Sequence, residues 1–276
     1  MFKDAVIPLD EWVSQFVEWL VDNHRDFFQA LKWPVEAMLN GLDIGLNWLH
    51  PLVVIAVITF AAWRFSGKGL AFFSAATLTT VGLLGLWAET MTTLAMVLSS
   101  VVFCAIAGIP LGIWAGRSDK FEASIRPVLD AMQTTPAFVY LVPIVMLFSV
   151  GNVAGVLATI VFALPPIIRL TSLGIRQVHP ELVEAAQAFG ATRGQVLRRV
   201  QIPLAMPTIL AGLNQTIMMA LSMVVIAALI GAGGLGSPVI LGLNTLDIGR
   251  AVTGGLGIVL MAIVLDRITQ SMAQKR

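Results

Sequence analysis

Charge is what this sequence lacks most. Asp, Glu, Lys and Arg make up 12% of its 276 residues, against 57% apolar residues, and the mean hydropathy is +0.87. A soluble globular domain carries roughly 25% charged residues because its surface must be solvated, so the composition excludes one. Cysteine is nearly absent as well. The single Cys104 excludes an internal disulfide and any cysteine-based metal cluster, and in its apolar run it reads as a small buried hydrophobe. The three His, at 24, 50 and 179, share no ligand spacing, so no metal site is expected. A net charge of +1 gives no global attraction to nucleic acid or to an anionic surface.

Long uncharged runs fill the space that charge leaves. Between Arg199 and Asp247 lie 47 residues without an ionisable side chain. The windows Leu70–Ala88, Thr90–Gly116, Ala131–Ile168 and Ala251–Leu265 also lack Asp, Glu, Lys and Arg. Such runs suit bilayer-spanning helices, and they do not alternate polar and apolar as barrel strands do. The expected fold is therefore all-α and integral to the membrane, with about seven transmembrane helices near residues 48–64, 70–88, 91–115, 131–150, 153–169, 207–231 and 250–267. One set of connections holds 13 basic residues, among them Arg64, Lys68, Arg117, Arg169, Arg176, Arg199 and Arg267, whereas the other holds 4: Lys3, Arg25, Lys32 and Arg250. Basic residues are retained on the cytoplasmic side, which places the N-terminus outside and the C-terminus in the cytoplasm.

Residues 1–47 differ in kind from the permeating remainder at 48–276. Trp12, Val13, Phe16, Val17, Leu20, Phe27, Phe28 and Leu31 recur near helical spacing opposite Glu11, Glu18, Asp22 and Arg25. A second such segment follows Pro34. Both read as extracytoplasmic amphipathic helices lying along the interface. A secretory signal is not expected, since acidic residues interrupt every candidate apolar core.

The expected spans carry ionisable groups only at their ends, which disfavours proton or sodium coupling. Gly108, Gly112 and Gly116 line one helix face and permit close helix packing. Gly231, Gly233 and Gly236 fit G-x-G-x-x-G on paper, but no βαβ unit surrounds them. No P-loop is present, so any energy from ATP must enter through a partner chain.

The connection at 170–206 is the most informative segment. Pro180 suits a first helical position with Glu181 in the first turn, and Gly190 suits a left-handed cap. Thr192 and Gln195 make a capping box for a second helix, which Pro203 is expected to stop. Leu182, Val183, Ala186 and Phe189 form an apolar stripe, the shape of a helix that docks into a groove on another protein. Five Arg, from Arg169 to Arg199, against Glu181 and Glu184 give this region only +3. With both ends tied to the membrane, it is not expected to bind nucleic acid as a helix-turn-helix.

Glu184-Ala185-Ala186, three residues, Gly190, nine residues, then Val200-Gln201-Ile202-Pro203 resembles the E-A-A…G…I-x-L-P signature of permease subunits of ATP-binding-cassette importers, with Val for Ile and Ile for Leu. The segments Gln133–Pro143 and Ile230–Gly236 look like those of the subgroup importing glycine betaine, proline betaine and choline, and the similarity runs over about residues 10 to 270. The resemblance implies a bacterial inner-membrane permease of the type I importer fold, without enzymatic activity or cofactor of its own. It also implies a second permease copy, two copies of an ATPase that binds ATP and Mg, an extracytoplasmic substrate-binding protein, and a role in osmoprotection. Glu184, Ala185, Ala186, Gly190, Val200, Ile202 and Pro203 would then form the ATPase-coupling segment. Gln133, Thr134, Thr135, Phe138, Tyr140, Asn214 and Gln215, polar or aromatic at membrane depth, are candidates for lining the pathway or for bonding neighbouring helices. A secondary carrier or channel working without an ATPase is the alternative. A membrane enzyme is disfavoured because no nucleophile, base and orienting group sit together.

Overall fold

A computed structural model describes residues 8–274, and among these it contains helices and no strand. Four helices are long and apolar enough to cross a bilayer alone: α4 (Trp87–Arg117), α7 (Asn152–Arg176), the continuous Arg193–Ala228 rod that contains α9 (Arg193–Val196) and α10 (Ile202–Ala228), and α12 (Ile248–Gln274). Each of the seven expected runs falls on helix. The runs at 48–64 and 70–88 become α2 (Pro51–Ser66) and α3 (Lys68–Leu83). At 16 residues each these span about 24 Å, short of the roughly 30 Å hydrocarbon core.

The expected span at 131–150 is corrected. It breaks at Pro136 into α5 (Asp119–Thr134) and α6 (Ala137–Phe148), which meet at 98°. The residue before a proline avoids the helical region, and Thr135 accordingly turns extended at ψ 127°. The break between the two N-terminal segments moves. The stretch α1 (Leu9–Trp48) is helical through Pro34, and its two helical parts meet instead at a kink at His24 (φ −127°, ψ 22°). It is bent 108° from α2.

The core is a layer of α4, α7 and α10. Helices α4 and α7 run parallel, since an added Cβ on Gly108, Gly112 or Gly116 would meet Ile167, Thr171 or Ile175 in turn. The glycine stripe therefore serves packing within this chain. Helix α10 runs antiparallel to α7, with Thr216 donating to the Ala163 carbonyl at 3.0 Å and Gly174 against Ala205 and Thr208. Helix α12 returns alongside α10, where Asn214 meets Asp266. The C-terminal ends of α2 and α12 meet through Ser66 and Ser271, so the basic ends of α2, α4, α7 and α12 gather at one end of the bundle. Cys104 is fully buried, its thiol against the Ile160 carbonyl.

Across the opposite end lies α1. Asp43 accepts from Thr92 at 2.8 Å, and Phe28 stands edge-on to Phe148 at 5.8 Å. Val35 and Leu39 are buried in the largest cluster, with Met96, Leu141 and Ala154. At the same end, Gly233 and Leu235 N–H groups donate to Asn152 Oδ1 and Thr93 Oγ1. Those backbone donors are occupied by side chains, which removes the phosphate cradle that the glycine pattern suggests on paper. Beyond them α11 (Gly236–Thr245) packs back on α12.

Candidate functional site

Helix α8 (Pro180–Ala188) has Pro180 in its first turn and no buried residue. Glu181 in the first turn complements the helix dipole. Its C-terminal end closes as the local sequence dictates. Gly190 takes φ +81°, Ala191 N–H donates to the Ala186 carbonyl at 3.0 Å, and Gly190 N–H donates to Gln187 at 2.8 Å, the bonding of a left-handed glycine cap. Thr192 and Gln195 then form both halves of a capping box, with Thr192 N–H donating to Gln195 Oε1 at 2.8 Å.

The apolar stripe on α8 divides. Val183 and Ala186 are half-buried toward their own chain, while Leu182 is exposed and Phe189 is 93% exposed. Glu184 and Ala185 are exposed with them. The second half of the signature plays a different part. Pro203 does not stop the helix, which corrects the sequence expectation: a π turn at Leu197–Gln201 precedes it, with Ile202 N–H donating to the Leu197 carbonyl. Wider i→i+5 bonding gives the chain a way past a residue that lacks the next donor and clashes in a regular helix. Val200 and Ile202 are half-buried, and Ile202 packs on the Cys104–Ile167 cluster. The signature thus joins an exposed helix to a core rod through one continuous segment.

The candidate pathway residues separate into two groups. Thr134 and Thr135 hydroxyls return to the Asp130 and Ala131 carbonyls, and Tyr140 donates to Met132 at 2.6 Å. Asn214 donates to Asp266 at 3.0 Å and accepts from Thr269. Gln215 and Phe138 are exposed, and Gln133 is half-buried. Gln215 sits on an uncovered stripe of α10 with Ala211, Met218 and Ser222, at the spacing of one helix face.

Sequence reading missed the role of α5. Arg176 from α7 bonds Asp119 at 2.6 Å and the Ala115 carbonyl at 2.7 Å, and Arg169 bonds Asp130 at 2.5 Å. The local signal was the Glu122, Arg126, Asp130 ladder of alternating sign together with Asp119; the arginines that bond Asp130 and Asp119 are 39 and 57 residues away.

A family model described as a binding-protein-dependent transport system inner membrane component matches residues 108–276. The chain is 53% identical over 273 residues to the glycine betaine/proline betaine transport system permease protein ProW of Escherichia coli, covering 99% of this chain and 77% of that protein. It is 44% identical over 270 residues to the glycine betaine transport system permease protein OpuAB of Bacillus subtilis, covering 98% and 96%. Among solved structures, an inward-facing conformation of the MetNI methionine ABC transporter is similar with a TM-score of 0.60 at 23% identity, covering 66% of this chain and 92% of that one. That likeness concerns the fold. The chain belongs to the family of inner membrane components of binding-protein-dependent transport systems: it is a multi-pass permease subunit, not an enzyme, and works with a separate ATPase and a substrate-binding protein.

Proposed function

We propose that this permease forms the pathway for a methylated-ammonium solute, glycine betaine foremost, and takes its power from an ATPase seated on α8. The observation that carries the coupling half is the exposed α8, which has no buried residue and continues into a rod of the core. Small Ala185, exposed beside half-buried Ala186, lets the helix enter a cleft, Glu184 supplies a charged contact, and Gly190 fixes where the helix ends. Val200, Ile202 and Pro203 transmit displacement to α10. ATP and Mg belong to the partner. The substrate half rests on relatives whose names specify glycine betaine with proline betaine or carnitine; choline fits the same chemistry.

Seven crossings follow from reading α2, α3, α4, the bent α5–α6 pair, α7, α10 and α12 as alternating. The basic end is cytoplasmic by the retention of Lys and Arg, which leaves the N-terminus outside. A homodimer is supported by the uncovered α10 stripe containing Gln215, which a second copy would face across the pathway together with Gln133, Thr134, Thr135, Phe138 and Tyr140, whereas Asn214 braces α12 through Asp266; two ATPases, one on each α8, complete the assembly. ATP-driven closure of the ATPase pair would move α8 as a lever and switch the side to which the pathway opens.

The test is uptake into liposomes holding the chain with its ATPase and binding protein. Glycine betaine accumulation that needs ATP and the binding protein is the expected result. Uptake by the chain alone, driven by an ion gradient, would instead establish the secondary-carrier alternative.

A further inference from the structure

Between α5 and α7, at the basic end of the bundle, lies an open groove of about 430 Å³. This is within the size range of small-ligand sites. Its floor is apolar, with Ala115, Leu129 and Ile168 buried, and its rim is charged. Glu122, Arg126 and Asp130 stand one helical turn apart, about 6 Å per step, in the order negative, positive, negative. Arg169 closes the rim from α7.

Two of these guanidinium groups are lightly used. Arg126 bonds Glu122 through one nitrogen, and Arg169 bonds Asp130 through one nitrogen, whereas each carries five N–H donors. The Arg126 side chain is 64% exposed. Unlike Arg176, which is tied to Asp119, Glu122 and a main-chain carbonyl, they retain donors for an oxyanion. Neither a pure anion nor a pure cation suits a rim whose charges alternate. A small molecule bearing both signs does.

We propose that this groove is a binding site for a zwitterion that joins an oxyanion to an ammonium group, the oxyanion on Arg126 and Arg169 and the ammonium beside the Asp130 carboxylate, which is 55% exposed and bonds Arg169 through one oxygen. Two sources carry that chemistry. One is an imported betaine leaving on the cytoplasmic side, which rests on the proposed function above. The other is the headgroup of phosphatidylethanolamine in the inner leaflet.

The complete complex, without binding protein, separates them. In nanodiscs of phosphatidylglycerol alone, which offer no ammonium headgroup, radiolabelled glycine betaine reports the solute. In mixed nanodiscs, native mass spectrometry reports retained phosphatidylethanolamine. Loss of a charge-assisted bond in Arg126→Gln is expected to weaken whichever ligand is held by about tenfold or more, while Arg126→Lys keeps most of the binding. Equal retention by wild type and Arg126→Gln of both ligands, or retention of neither by wild type, overturns the site. ATP-driven uptake by the same wild-type preparation is measured in parallel. Its absence would count against the transport reading and leave the groove result to be judged separately.

Discussion

Gly190→Asp is expected to uncouple ATP hydrolysis from uptake while the membrane bundle folds normally. No atom lies within 4 Å of a Cβ added at Gly190, so crowding is not the cause. The backbone is: φ is +81°, and an L-residue there costs roughly 1–2 kcal/mol. Relief of that strain breaks the Ala191 to Ala186 bond and unravels the last turn of α8, the turn that aims Phe189. A loss of that size corresponds to a factor of about 5–30 in the docked population. Asn tolerates the left-handed region better than other residues, so Gly190→Asn should retain more coupling than Gly190→Asp. Binding-protein-stimulated ATPase activity and uptake, measured together on purified complexes, check this. Normal uptake by Gly190→Asp would remove α8 as the point of power entry.

The largest effect on folding is expected from Gly112→Leu. Even the first added carbon would lie 2.5 Å from Thr171 Cβ and 2.7 Å from the Ile168 carbonyl oxygen. The latter is main chain and cannot rotate away, so α4 and α7 must separate. Overpacking a core costs about 1–3 kcal/mol or more, and this contact also positions α10 through Gly212 against Ile167. Thermal unfolding in detergent should fall sharply, or folded protein should not be recovered. Gly41→Ala is the control: nothing lies within 4 Å of its added Cβ, and a helical Gly→Ala change is neutral to stabilising. Similar unfolding temperatures for Gly112→Leu and wild type would contradict the α4–α7 packing.

Much of this architecture was legible because membrane insertion reads the same quantities that a sequence displays. Seven apolar runs located helix, and local capping rules located α8, its glycine end and the Thr192 box. Hydropathy measures transfer, however, and not direction. The run at 131–150 is uniformly apolar in the mean, yet Pro136 turns it through 98°; the proline was the available signal. Pro34 and Pro203 show the converse, since each sits within continuous helix. The α1 kink falls at His24, which carries no breaker signature. Tertiary packing decides such cases, as Val35 and Leu39 do by burying α1 in the core. The clamps of Arg169 and Arg176 on α5 join residues far apart in sequence, which no local spacing rule can find. The same limit applies to the pathway candidates: polarity marked Asn214 and Gln215 alike, but only contact with α12 tells that Asn214 is bonded to Asp266.

Power entry through α8 is tested most directly by a cross-link from position 185. Ala185 is exposed, Cys is nearly as small, and the native Cys104 is buried, so Ala185→Cys offers one accessible thiol on this chain. Paired with single cysteines along the cleft of the partner ATPase, it should form a specific cross-link whose yield changes when ATP is bound. No cross-link to the ATPase at any cleft position, in a complex that still imports its solute, would contradict the account.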